Sequence, residues 1–224
     1  MSDPGTRFGV PPRAAPLGAL KRFVDRASSS RPGEVCDLCA APIAEEHSHV
    51  VNLEGRNLRC TCRPCYLLFT QEGAARGKYR AVPDRYVYYP SFNLGEPQWD
   101  QLQIPVRMAF FFFNSALGRF VAFYPSPAGA TESLLALDAW QDVLAANHQL
   151  QPLKPDVEAL LVYGPRGGGF ECYGVPINAC YELVGRVKLH WKGYDGGEEA
   201  WEQIRGFFAA LRARSIAVER GEAR

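Results

Sequence analysis

The chain has 224 residues, 47% hydrophobic and 22% charged, which is ordinary for a globular protein with a substantial core. Its 25 Lys+Arg against 24 Asp+Glu leave a formal net charge of +1, a balance that argues against an electrostatic nucleic-acid binder or a polybasic membrane anchor. No uninterrupted apolar run approaches the ~18–20 residues that span a bilayer, and the N-terminus carries no apolar signal core, so a cytoplasmic location without membrane insertion is expected.

Residues 1–33 are rich in Pro, Gly, Ala, Ser and Arg, a composition that buries too little surface to fold alone. A disordered or partly helical segment is expected there, with one short helical pattern from Leu17 to Val24. The Ser28–Gly33 run reads as a linker.

Five of the seven cysteines follow, at 36, 39, 60, 62 and 65. In a reducing compartment such density means metal rather than disulfides. Cys36-Asp-Leu-Cys39 and Cys62-Arg-Pro-Cys65 are two Cys-x-x-Cys pairs separated by 22 residues. Each turn points two sulfurs at one ion, and two turns supply the tetrahedral thiolate set that zinc favours. Between them, His49–Leu53 and Asn57–Thr61 are strand-like and flank a turn at Glu54-Gly55-Arg56. Pro64 then suits a first helical turn, followed by Tyr66-Leu-Leu-Phe69.

Knuckle, hairpin, and a helix whose first turn carries the second pair resemble the treble-clef zinc finger, and a zinc-binding module is expected over 34–80. Cys36, Cys39, Cys62 and Cys65 are the expected ligands. Cys60, His47 and His49 crowd the same segment as possible replacements; Cys60 is expected to point to the other face from Cys62, and the histidines are expected as exposed loop and strand residues. The alternative metal is iron, which would make a rubredoxin-like electron carrier. Rubredoxin-type sites usually carry Gly after each pair, whereas Ala40 and Tyr66 stand here, which favours zinc.

From 81 to 215 the pattern predicts an α+β domain, an antiparallel sheet with helices packed on one face. Ile104–Phe113 and Arg119–Tyr124 form one predicted hairpin across Asn114, Ser115 and Gly118. Phe110–Phe113 carries Phe on both strand faces, so each face needs a cover, and an internally covered central strand is expected. Thr131-Glu-Ser133 reads as a polar turn before a helix over Leu137–Ala146, with Asp138 and Gln141 spaced as N-cap and N3 partner. Val157–Tyr163 and Phe170–Val175 form a second hairpin across Gly164–Gly169. Two helices close the pattern. The first opens at Pro176 and aligns Ile177, Cys180, Tyr181, Val184, Val187 and Trp191; the second carries Trp201, Ile204, Phe208 and Leu211. Residues 216–224 are expected to be a flexible tail.

No catalytic constellation emerges. Gly164-Pro-Arg-Gly-Gly-Gly169 lacks the ending of a phosphate loop and lies between strands. Cys180 and His190 sit ten residues apart on one helix, about 15 Å along its axis. No Gly-x-Ser-x-Gly, His-Glu-x-x-His or dinucleotide fingerprint occurs. A pocket near Thr131, Glu132 and Arg166 is the remaining place for a small-molecule enzyme.

Several blocks carry a family resemblance. They are the Cys36–Cys39 knuckle, His47-x-His49, Leu58-Arg-Cys-Thr-Cys-Arg-Pro-Cys-Tyr-Leu-Leu-Phe69, Val82-Pro-Asp-Arg85, Ile104-Pro-Val106, Tyr124–Ser133, Leu153–Leu160 and the Trp191–Leu211 region. Over about 34–214 the chain resembles an uncharacterised actinobacterial family encoded near [NiFe]-hydrogenase genes. The resemblance implies a non-enzymatic accessory or assembly factor whose partner is a hydrogenase subunit or a fellow accessory protein.

Overall fold

The computed structural model describes residues 33–71, 73–133 and 138–218. The Leu17–Val24 pattern lies outside them, as does the side chain of Asp138 that was expected to cap a helix.

A turn at Leu53–Arg56 lets two short strands pair, β1 (Ser48–Asn52) and β2 (Asn57–Thr61), with Asn52 opposite Asn57. The Asn52 side-chain oxygen accepts the Gly55 N–H at 3.0 Å, which closes the turn. Helix α1 (Arg63–Leu67) starts directly after β2, with Pro in its first turn where no backbone N–H is needed. Strand β3 (Tyr79–Ala81) then returns to pair with β1, giving a three-stranded sheet in the order β2-β1-β3.

The larger sheet has seven strands. They are β4 (Val87–Tyr88), β5 (Met108–Asn114), β6 (Arg119–Ser126), β7 (Gly129–Ser133), β8 (Glu158–Tyr163), β9 (Glu171–Pro176) and β10 (Ile216–Ala217), in the order β10-β4-β9-β8-β5-β6-β7. All pairs are antiparallel except β10 with β4. Both predicted hairpins are present, with Asn114 opposite Arg119 and Tyr163 opposite Glu171. Two features depart from expectation. Thr131-Glu-Ser133 belongs to an edge strand rather than a turn, because the chain reverses earlier, where the Ser126 hydroxyl donates to the Gly129 carbonyl. Residues 216–217, expected in the flexible tail, extend the opposite edge as β10.

Side chains alternate across this sheet with the period of two that a pleated strand imposes. Met108, Phe110, Phe112, Leu161, Tyr163 and Val175 face one core. There they meet α4 (Ile177–His190) through Cys180, Leu183 and Val187, and α5 (Gly197–Arg214) through Ile204, Phe208 and Leu211. Ala109, Phe111, Leu160, Val162 and Cys172 face the other core. Two shorter helices cover that side: α2 (Glu96–Gln101) with Trp99, and α3 (Asp138–Ala146) with Trp140 and Val143. The two long helices occupy one face, but α2 and α3 lie on the other, so the helices are not confined to one face as expected, and the second cover for the Phe run comes from within the chain. Phe111 stacks on Trp140 with centroids 3.7 Å apart.

The two sheets share a core. Val51 of β1 and Val82, just after β3, are buried with the α4–α5 face, and Leu53 and Leu58 pack against it. Arg80 of β3 donates to the Pro155 carbonyl at 2.8 Å and to the Asp156 carboxylate at 3.2 Å, tying the small sheet to the segment before β8. Arg85 grips the buried Glu158 through both carboxylate oxygens, at 2.8 and 3.0 Å, beside the Lys154 N–H.

Candidate metal centre

Cys36 opens a tight turn: its carbonyl accepts the Ala40 N–H and its own N–H donates to the Ala41 carbonyl, both at 2.8 Å. To close it, Ala40 adopts φ 60, a left-handed conformation that favours glycine. The turn is anchored to β2 through Asp37. Its N–H donates to the Cys60 carbonyl at 2.9 Å, and its carboxylate accepts the Cys60 N–H at 2.8 Å. Cys62 is the N-cap of α1, and Cys65 lies within the helix, so the second pair is held by a helical start rather than a second turn of the first kind.

These two devices bring the sulfurs of Cys36, Cys39, Cys62 and Cys65 within 4.8 Å of one another, a set able to hold a metal ion. The Cys39 and Cys62 sulfurs are 3.6 Å apart. A tetrahedron with zinc–sulfur bonds of about 2.3 Å has edges of about 3.8 Å, so the donors are already near their bonded spacing. All four cysteines are free thiols, Cys36 buried and Cys39 exposed. The donor set therefore fits a tetrahedral thiophilic ion.

The four thiols do not ionise alike. Burial opposes ionisation of Cys36, yet the N–H groups of Cys62, Leu38 and Cys39 outweigh it and hold the thiol down at about 6. The Ala41 N–H favours the Cys39 thiolate, but the neighbouring Cys36 and Cys62 sulfurs win and raise it. At Cys65 the Cys39 and Cys62 sulfurs, then burial, push the thiol up to about 12. With no cation between them the sulfurs resist shared ionisation; a cation at their centre removes that resistance.

His47, His49 and Cys60 do not join this set. They gather as a separate group whose ligand atoms also lie within 4.8 Å of one another. The histidines are half-buried rather than exposed, because their rings pack together with centroids 4.6 Å apart. Cys60 sits directly opposite His49 in the β1–β2 ladder, so both project from the same face. Burial, then the adjacent His47, pushes His49 down to about 4 against the pull of Asp37. Burial and the Asp37 and Glu34 carboxylates raise the Cys60 thiol. The sequence reading passed over Asp37 and Glu34, whose spacing gives no signal of their folding back onto the cysteines.

The residues weighed for catalysis remain apart. Glu132 lines a cleft between the small sheet and β5, β6 and α4, whereas Arg166 lines another beside α5, stacked over Trp201. The Thr131 hydroxyl is paired with Ser126. Cys180 and Cys172 are fully buried, and His190 bonds Glu199 at 2.9 Å. The Gly164–Gly169 segment is the hairpin turn between β8 and β9.

Residues 35–215 match a family of unknown function, DUF5947, and this span includes both cysteine pairs and every strand of the large sheet except β10. The chain belongs to this family. No curated protein and no solved structure matches it. Among the described residues no helix is long and apolar enough to cross a membrane.

Proposed function

We propose that Cys36, Cys39, Cys62 and Cys65 hold a structural zinc ion in a treble-clef-like arrangement, and that the protein is a non-enzymatic accessory or assembly factor of the cytoplasm. The observation that carries this reading is the convergence of four sulfurs, two from a turn and two from a helix start, within 4.8 Å. Zinc stiffens a small module whose own core is slight: α1 buries no residue of its own. The resemblance to a family encoded near [NiFe]-hydrogenase genes supports a hydrogenase subunit or a fellow accessory protein as the partner.

Elemental analysis with an absorption spectrum tests the metal. Zinc in the four-sulfur set and no visible band are expected, and Cys36→Ser lowers the folded yield outright. A well-folded Cys36→Ser protein with its full metal content sinks the assignment. Co-purification from a native or related host tests the partner: recovery of hydrogenase proteins supports the link, and their absence from a folded, metal-loaded preparation removes it.

The second reading is iron in the same site, with the protein an electron carrier. A tetrahedral four-sulfur set is one that iron also takes, which is what supports this reading. Iron gives a coloured protein whose sulfur-to-iron band bleaches on reduction; a colourless protein from an iron-replete native host excludes it.

A further inference from the structure

His47 is the least expected side chain in the small module. Only 9% of it is exposed, and its Nδ1 lies 2.9 Å from the Ala44 carbonyl and 3.0 Å from the Glu45 carbonyl. A ring nitrogen between two carbonyl oxygens must carry the proton, because only an N–H can donate to them. In the neutral ring this makes Nε2 the nitrogen that carries the lone pair. Nε2 is buried and has no hydrogen-bond partner among the described residues. A buried acceptor without a donor is costly, and native structures leave few of them.

Metal donors gather at this ring. One ring nitrogen of His49 and the sulfur of Cys60 join a His47 ring nitrogen within a 4.8 Å set. The cross-strand pair His49–Cys60 belongs to the β1–β2 ladder, and the Cys60 backbone is clamped at both its N–H and its carbonyl by Asp37. The donors are thus held by regular backbone and not by a loose loop. A histidine that gives its second N–H to a backbone carbonyl is in the arrangement that metal-ligating imidazoles adopt. Negative charge lies close by, with Glu34 Oε2 at 3.4 Å from His47 Nδ1 and the Asp37 carboxylate on the Cys60 N–H.

The geometry points to a second metal site, distinct from the four-cysteine set, in which His47 Nε2, a His49 ring nitrogen and the Cys60 thiolate bind one divalent ion of the zinc–cobalt–nickel class. Two imidazoles and one thiolate are the borderline donors such ions select. Three protein ligands leave a fourth position for water or an exogenous donor, unlike the closed four-sulfur site. Binding transfers the Cys60 proton to solvent and replaces the orphaned contact at Nε2 with a metal–nitrogen bond. Asp37 links the sites mechanically, since it follows the ligand Cys36 and holds Cys60.

Anaerobic cobalt titration of the full-length protein, stripped of metal under reducing conditions, tests this. Two equivalents are expected: one giving the intense band of a tetrahedral four-thiolate site, the other a weaker spectrum with mixed nitrogen and sulfur ligation. His47→Gln and Cys60→Ser, made separately, should each take up one equivalent and keep the four-thiolate band. A wild-type protein that binds only one equivalent with four-thiolate character overturns the second site. So does either folded variant that still takes up two, or a Cys60→Ser protein in which the four-thiolate band itself changes. If the wild type takes one equivalent that His47→Gln abolishes and Cys39→Ser retains, the His–Cys site stands and the four-cysteine reading fails.

Discussion

Ala40 occupies a left-handed backbone position at φ 60, where its Cβ crowds the following carbonyl. Ala40→Gly should raise stability of the metal-loaded protein by about 1 kcal/mol, seen as a higher midpoint in urea unfolding. A lower midpoint would mean that the added freedom of the unfolded chain outweighs the relieved crowding. The thiols around this turn also set a pH dependence. Cys39 and Cys65 are raised and must lose protons on metal uptake, so affinity falls as pH falls. Competition with a chromophoric chelator at pH 6 and pH 8 should show weaker retention at pH 6; equal retention would argue that the ion is not held by these thiols. Cysteine pairs were legible at this scale because their spacing alone defines the chemistry. Asp37, Glu34 and the buried face of His47 were not, because burial is a property of what folds over a residue.

At the level of elements, β5 carries the most apolar run in the chain, and its alternation divides Phe110 and Phe112 from Phe111. Phe111 is fully buried and stacked on Trp140, whereas Phe113 is only half-buried against Phe120. Phe111→Ala should cost about 3–5 kcal/mol in urea unfolding, and Phe113→Ala clearly less. The reverse order would show that the α3 face contributes little to the core. Hairpins, α4 and α5 were legible because their apolar period is long and their turns are rich in Gly, Pro and Asn. β7 escaped because Gly129-Ala-Thr-Glu-Ser133 has little apolar alternation; its place as a strand comes from pairing with β6. β10 is two residues long and exists only through β4.

Across the whole molecule, the small sheet is seated on the large one through Val51, Val82 and the Arg80–Asp156 contact. The metal-bearing turn, β2 and α1 lie at the outer side of this junction and bury few residues of their own. Chelation should therefore strip amide protection from the Cys36 turn, β2 and α1 while β5, β8 and β9 keep theirs, as read by hydrogen exchange. Equal loss in both sheets would make the ion a keystone of the entire fold rather than of its small module.

By itself the sequence determined the chemistry that depends on short spacing: two Cys-x-x-Cys pairs, the hairpin between them, the helix start that holds the second pair, and the alternating strands and amphipathic helices of an α+β domain. Those features are local, and local geometry follows from the order of residues. Only the tertiary structure decided that the four sulfurs stand within bonding reach of one ion, that α2 and α3 cover the second face of the sheet, and that His47, His49 and Cys60 form a group of their own. Each of these joins segments through folding over a distance, where burial and register, not neighbouring residues, set what a side chain meets.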